Sequence, residues 1–125
     1  MQFTASVITG HGIGRQLGYP TLNFVVPDEL SLEEGVFACR VQMDGTCELG
    51  VLFFGRRATF ADAELSLEVH LLDWTGDAQV EQARIEIIEK IRDPQKFASR
   101  DALITTIAQD CEAARKVLAR SPDNL

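Results

Sequence analysis

Residues 12–23 carry the side chains of this 125-residue chain whose types and spacing best suit chemistry. The stretch combines three glycines and one proline with three polar side chains: Gly12, Gly14, Gly18, Pro20, Arg15, Thr21 and Asn23. Glycine has no Cβ, so backbone N–H groups in such a loop can approach an anion closely. Local composition leaves two interpretations open, a cradle for phosphate and a metal ion or a glycine-rich turn between strands.

The polar residues at the end of this stretch are spaced for a common target. Residues 22–26 alternate their side chains as a short strand does, and Thr21 and Asn23 are two residues apart. In an extended chain such residues lie on one face. A hydroxyl and an amide oxygen can therefore reach the same metal ion or phosphate.

A second candidate lies in residues 65–71, where apolar and polar side chains alternate. Glu68 and His70 share the polar face. Glu68 is either a carboxylate placed for acid–base chemistry or a solvent-facing side chain of an amphipathic strand, and the pattern alone favours the second interpretation. His70 is interpreted as a neighbour of Glu68 rather than as a catalytic residue.

Arg56 and Arg57 follow Gly55 at a point where the apolar run is interrupted. They fit a solvated loop or part of an anion pocket. Exposed arginine is common on loops, so solvation is the favoured interpretation.

Short apolar and β-branched segments separated by turn residues must position these groups. They predict six strands over residues 3–9, 22–26, 36–42, 46–54, 65–71 and 83–89. Asp44-Gly45 suits the positive φ angles of a two-residue hairpin turn. Because no helices alternate with the strands, the pattern favours an antiparallel barrel or sandwich over a doubly wound sheet.

The last part of the chain changes its apolar period from two to about 3.6 residues. A helix is predicted over residues 100–119, with Ser99 as N-cap and Asp101 in the first turn. Its apolar stripe comprises Leu103, Ile104, Ile107, Cys111, Ala114, Val117 and Leu118. Arg115, Lys116 and Arg120 complement the dipole at its C-terminal end. Residues 121–125 are predicted to fray.

Composition sets the class of the protein. With 125 residues, of which 46% are hydrophobic, the chain suits one domain over residues 1–125. The formal net charge of −7 argues against a broad nucleic-acid surface, because duplex binding relies on cationic neutralisation of phosphates. A polyanionic ligand would therefore need a local cationic pocket or a divalent metal.

Targeting and cysteine signals are weak. The N-terminal residues lack a secretory pattern, and no apolar run approaches the roughly 20 residues of a membrane span, so a cytoplasmic protein without membrane contact is expected. Cys39, Cys47 and Cys111 lack the close spacing of a zinc site and are interpreted as small reduced hydrophobes. Monomer is the default expectation.

Several motifs together resemble the riboflavin kinases in order and spacing. They are Gly-Arg-Gln-Leu-Gly-Tyr-Pro-Thr-Leu-Asn at residues 14–23, Gly-Val-Phe-Ala at 35–38, Leu-Glu-Val-His-Leu-Leu-Asp at 67–73, Ile91-Arg92 with Lys96-Phe97, and Ile107 with Asp110. The resemblance spans nearly the whole chain and is closest to the flavokinase module of bacterial bifunctional FAD synthetases. It implies a mainly β fold, a six-stranded antiparallel Greek-key barrel packed by a C-terminal helix.

The resemblance also implies roles for individual residues. The segment from Gly12 to Gly18, including Gly14 and Arg15, would cover the phosphates of ATP together with Pro20 and Thr21. Thr21 and Asn23 would serve Mg²⁺ and the phosphates, and Glu68 would be the base that activates the 5′-hydroxyl of riboflavin. An apolar slot between barrel and helix would hold the flavin ring; the candidates are Trp74, Phe97, Ile104 and Ile107.

Two segments depart from the family pattern. Family members usually have Asn-Ile-Gly and then Pro-Thr where this chain has Phe53-Phe54-Gly55 and then Ala58-Thr59, so Phe53 replaces a polar group. Residues 77–80 replace a typical Asp-Leu-Tyr-Gly. Three interpretations follow: a riboflavin kinase, which is favoured, a kinase for another small alcohol, or a non-catalytic flavin- or nucleotide-binding module. No segment resembles an adenylyltransferase site, so FMN rather than FAD is the expected product.

Overall fold

The computed structural model describes residues 1–8, 21–43, 45–56, 65–73 and 81–120. In these ranges it contains six β-strands and one long α-helix. They are β1 (Gln2–Ile8), β2 (Thr21–Phe24), β3 (Gly35–Met43), β4 (Thr46–Arg56), β5 (Leu65–Leu71), β6 (Gln82–Arg92) and α1 (Arg100–Arg120).

The strands close into a barrel in the order β1-β2-β5-β4-β3-β6. Every neighbouring pair is antiparallel. Strands β3, β4 and β5 are joined in sequence and β6 returns beside β3, which is a Greek-key arrangement. The predicted six-stranded antiparallel barrel is confirmed, and the sandwich alternative is wrong.

Alternation along the strands fills the inside of the barrel. The buried core consists of Ala5, Phe24, Phe37, Cys39, Val41, Met43, Leu52, Phe54, Leu67, Val69, Leu71, Ala83 and Ile85. Full burial of a Val, Leu or Ile side chain contributes about 1.5–3 kcal/mol relative to leaving it exposed. Because the apolar face of β5 lies inside, the face that carries Glu68 and His70 lies on the outside of the barrel.

The hairpin between β3 and β4 turns where Asp44-Gly45 predicted it. Met43 pairs with Thr46, and Gly45 has a φ of 82°, which glycine adopts without steric cost. The hydroxyl of Thr46 donates to the carbonyl oxygen of Met43 at 2.9 Å. Asp44 itself lies outside the described residues.

Five of the six strands differ from the predicted ranges by one to three residues at one or both ends, and two of these differences concern the site. Strand β2 covers residues 21–24 rather than 22–26, so Thr21 lies within the strand. Strand β4 continues through Gly55 and Arg56, which pair with Ser66 and Leu65 of β5. The predicted interruption is therefore wrong for these two residues, because cross-strand pairing outweighs the weak strand preference of glycine. Arg57 lies outside the described residues.

Helix α1 begins at its predicted cap. The Ser99 Oγ accepts a hydrogen bond from the backbone N–H of Ala102 at 3.1 Å. The C-terminal half of the helix packs on the outer face of the barrel through Ala114, Val117 and Leu118, around the fully buried Ala38 of β3. The predicted tail, residues 121–125, lies outside the described residues.

A partly buried ion pair joins the end of β6 to the middle of α1. The Nε and Nη2 atoms of Arg92 each donate to one carboxylate oxygen of Asp110 at 2.8 Å. The side chain of Asp110 is 7% exposed and that of Arg92 is 22% exposed. Such a bidentate contact fixes both the distance and the orientation of the helix relative to the strand.

The three cysteines, all within the described residues, form no disulfide and lie in three different environments. Cys39 lies in the barrel core, where burial raises the pKa of its thiol. Cys111 is half-buried, and burial followed by the neighbouring Asp110 carboxylate raises the pKa of its thiol. Cys47 is exposed, and like the other two cysteines it forms no disulfide, as the interpretation of reduced thiols expects.

The Asp110→Ala variant should lower the free energy of unfolding by about 1.5–3 kcal/mol, because it removes two charge-assisted hydrogen bonds of the partly buried Arg92 guanidinium. Urea denaturation measures this change. The matched control is Glu89→Ala, which removes an exposed β6–α1 pair at 3.9 Å to Arg120 and should cost less than about 1 kcal/mol. Equal losses in the two variants would contradict a special role for the partly buried pair.

Candidate active site

The pairing of β2 with β5 brings the two polar candidates of the sequence together. Asn23 lies directly opposite Glu68, and Thr21 lies directly opposite His70. The residues between them, Leu22 and Val69, face the core. The hydroxyl, the amide, the carboxylate and the imidazole therefore share one patch on the outer face of the barrel, although 45 residues of sequence separate Asn23 from Glu68.

Glu68 is buried despite its place on the outer face. Only 6% of its surface is exposed. Thr21, Asn23 and His70 around it are half-buried. Carboxylates are rarely buried to this degree without a partner, so the solvent-facing interpretation of Glu68 is wrong.

Phe53 is the third member of the row that contains Asn23 and Glu68. It lies opposite Glu68 on β4, so Glu68 has an amide on one side and an aromatic residue on the other. A Cβ added to Gly55 would lie 3.3 Å from the Cζ of Phe53, so the ring extends along β4 over this glycine. The sequence placed Phe53 near the ligand, but only the register shows that it adjoins Glu68.

The apolar candidates on the helix side are Phe97, which precedes α1, and Ile104 and Ile107 in the first half of α1. Phe97, Ile104 and Ile107 are half-buried and are not members of either buried core cluster of the described residues. The guanidinium carbon of Arg92 lies 5.8 Å from the centre of the Phe97 ring. The Arg92–Asp110 pair thus also holds Phe97 near the start of α1.

A second ion pair joins the end of β5 to α1. Arg115 contacts both carboxylate oxygens of Asp73, at 2.9 and 3.1 Å, and donates to the carbonyl oxygen of Leu72 at 3.2 Å. The Arg115 hydrogen bond holds the pKa of Asp73 below its usual value and raises the pKa of Arg115. Sequence analysis assigned Arg115 only to the helix dipole, because 42 residues separate the partners.

Several predicted site residues lie outside the described residues. They are Gly12, Gly14, Arg15, Gly18, Pro20 and Trp74. The same holds for residues 57–60 and 76–80, which belong to the two segments that depart from the family pattern. Of the predicted site, the structure thus describes Thr21, Asn23, Glu68 and the three apolar residues near α1.

No helix in the ranges that the structure describes combines the length and the apolar composition that a membrane span requires.

The barrel with its packed C-terminal helix is shared with a solved structure described as a macrolide-efflux protein from Streptococcus pneumoniae. The TM-score is 0.80 and the sequence identity is 30%, over 91% of this chain and 38% of that one. The family model for riboflavin kinase, Flavokinase, matches residues 1–118. The chain belongs to the riboflavin kinase family.

Curated relatives agree with this assignment. A bifunctional riboflavin kinase/FMN adenylyltransferase of Pseudomonas fluorescens is 40% identical over 116 residues, and the protein of the same description from Escherichia coli K12 is 39% identical over 111 residues. These matches cover 92% and 88% of this chain. The chain spans only 37% and 36% of the length of these two relatives.

The Asn23→Asp variant tests the juxtaposition with Glu68. Two carboxylates directly opposite each other should lower the free energy of unfolding at neutral pH by about 0.2–1 kcal/mol. The loss should shrink at acidic pH, since protonation of either carboxyl group removes the repulsion. Chemical denaturation at several pH values measures the difference from the unaltered protein.

Asn23→Ser is the matched control, because it removes the amide without adding charge. Its stability difference should not depend on pH over this range. A pH-independent loss in Asn23→Asp as well would show that the two side chains do not face each other.

Proposed function

We propose that this protein is a riboflavin kinase that transfers the γ-phosphate of ATP to the 5′-hydroxyl of riboflavin and releases FMN. The observation that carries the proposal is the placement of a buried carboxylate, Glu68, directly opposite Asn23, with Thr21 on the same face. Membership of the riboflavin kinase family supports the choice of acceptor.

Glu68 is proposed to accept the proton of the attacking hydroxyl. A general base must come within about 2.6–3.2 Å of the oxygen from which it takes the proton. Strand β5 is paired on both sides, with β2 and β4, so the backbone at Glu68 is held firmly. Phosphoryl transfer asks a protein mainly for alignment and charge stabilisation, which such a rigid strand can provide.

The donor atoms of β2 fit magnesium. Thr21 and Asn23 offer a hydroxyl and an amide oxygen from one face of one strand, and Mg²⁺ prefers oxygen ligands. Within the described ranges no group of three or more His, Cys, Asp or Glu side chains is placed to hold a metal, so phosphate and water oxygens would complete the shell. When bound, Mg²⁺ neutralises charge on the phosphates.

Residues 12–18, which include Arg15, are proposed to cover those phosphates together with Pro20. The support is their position in the sequence, since the glycine-rich segment leads directly into Thr21 at the start of β2. Backbone N–H groups of a glycine-rich loop suit a nucleotide in a protein whose overall charge is −7.

The flavin ring is proposed to lie against the N-terminal half of α1. Ile104 and Ile107 offer half-buried apolar surface there, as does Phe97 just before the helix, and Trp74 is a further candidate from the sequence. Small-molecule sites typically combine such apolar walls with a few polar anchors.

One observation favours a second candidate function. The aromatic Phe53 next to Glu68 offers no hydrogen bond to the hydroxyls of a ribityl chain. A kinase of this fold that acts on another small alcohol, or a non-catalytic flavin- or nucleotide-binding module, is therefore the alternative. FMN formation from riboflavin and Mg-ATP separates these possibilities directly.

Glu68→Gln should lower the rate of FMN formation by about 10²–10⁴-fold, because the amide cannot accept the proton. Affinity for a non-hydrolysable ATP analogue with Mg²⁺, measured by calorimetry, should stay close to that of the unaltered protein. Glu86→Gln is the matched control on the outer face of β6 and should retain activity. A Glu68→Gln protein that forms FMN at the normal rate would exclude Glu68 as the base.

Thr21→Ala should weaken Mg-nucleotide binding more than flavin binding, since the hydroxyl is assigned to the metal and phosphates. Calorimetry with the ATP analogue and quenching of riboflavin fluorescence measure the two affinities. Thr4→Ala removes an exposed strand threonine of β1 and should change neither. If Thr21→Ala weakened the binding of both ligands equally, the assignment of Thr21 to the nucleotide alone would be contradicted.

A further inference from the structure

The row across β2, β5 and β4 has two unlike sides. Asn23 on β2 presents an amide to Glu68, and Phe53 on β4 presents a phenyl ring. Directly opposite residues of antiparallel strands have Cβ atoms about 4.5–5.5 Å apart, so both neighbours lie within reach of anything that the carboxylate touches. Phe53 is only half-buried, so part of its ring can contact a ligand.

The two sides must serve different substrates if the proposed function holds, and this inference rests on that function. Thr21 and Asn23 assign the nucleotide phosphates to the β2 side of Glu68. In phosphoryl transfer the attacking oxygen and the leaving oxygen lie roughly in line on opposite sides of the γ-phosphorus. With the phosphates on the β2 side, the acceptor is therefore assigned to the opposite side of Glu68. That side is β4, which contacts α1 as β3 and β6 also do.

We propose that Phe53 is the residue that sets specificity for the acceptor. Its ring contacts the carbon chain next to the hydroxyl that Glu68 activates, and it offers that chain no hydrogen bond. The site therefore recognises a terminal hydroxyl on a flavin side chain and is tolerant toward the loss of the hydroxyls beside it. The accepted class includes flavins whose side chain is deoxygenated except at its end.

The physical basis is the asymmetry between apolar and hydrogen-bonding pockets. A site that hydrogen-bonds a substrate hydroxyl rejects an analogue without it strongly, because its own polar group is left unpaired. An apolar wall discriminates far less between a hydroxyl and a hydrogen. Gly55 permits this wall, since a Cβ there would approach the Phe53 Cζ to 3.3 Å.

The test compares two acceptors, riboflavin and the flavin that carries a 5-hydroxypentyl chain in place of the ribityl chain. The quantity measured is the ratio of their kcat/KM values with Mg-ATP. Phe53→Asn should raise the preference for riboflavin by about tenfold relative to the unaltered protein, mainly through KM, because its amide can pair with a chain hydroxyl.

Phe53→Leu is the matched control, similar in shape to asparagine but without polar atoms, and its ratio should stay near that of the unaltered protein. Equal ratios in the Asn and Leu variants would overturn the proposal. If Phe53→Asn does not fold, Phe53→Thr and Phe53→Val form a second pair that differs only by a hydroxyl in place of a methyl, and the same comparison decides.

Fluorescence quenching separates failure of this inference from failure of the proposed function. If the unaltered protein phosphorylates neither flavin, the kinase function is wrong. The ratio of the two flavin dissociation constants, compared between the Asn and Leu variants, then decides the role of Phe53. A shift toward riboflavin in Phe53→Asn alone supports it, and equal ratios overturn it.

Discussion

The register between β2 and β5 is the constraint on which the candidate site depends. Pairing Asn23 with Glu68 and Thr21 with His70 puts all four polar side chains on the outer face of the barrel. A slip of one residue would turn Glu68 into the core and Val69 outward, because side chains alternate with a period of two. The buried positions of Leu67, Val69 and Leu71 oppose such a slip, so the packing of the core also sets the geometry of the site.

The position of helix α1 is the second constraint, and two ion pairs join the helix to the barrel. Arg92 of β6 reaches Asp110 through a partly buried bidentate contact, and Arg115 reaches Asp73 at the end of β5 through an exposed one. Between them, Ala38 and Ala114 are fully buried, which allows the helix to approach the sheet closely. Ile104 and Ile107 in the N-terminal half of α1, and Phe97 just before it, are not members of either buried core cluster of the described residues.

Local patterns predicted most of the fold. The hairpin at Gly45, the cap at Ser99 and the strand from Leu65 to Leu71 all agree with the structure, because each depends on residues that are neighbours in sequence. The errors lie where distant contacts prevail. Gly55 and Arg56 were predicted to break a strand, but they pair with β5, and the Arg56 N–H also donates to the Glu34 carboxylate at 3.0 Å.

The sequence by itself determined the residue types available for chemistry, Thr21, Asn23 and Glu68. It also determined the resemblance to riboflavin kinases and, through that resemblance, the barrel fold. It could not show that Glu68 is buried, that it faces Asn23, or that Phe53 is its other neighbour. Those facts come from pairing between strands far apart in the chain. Alternation within one strand tells which residues share a face, but only tertiary structure decides which strand lies beside it.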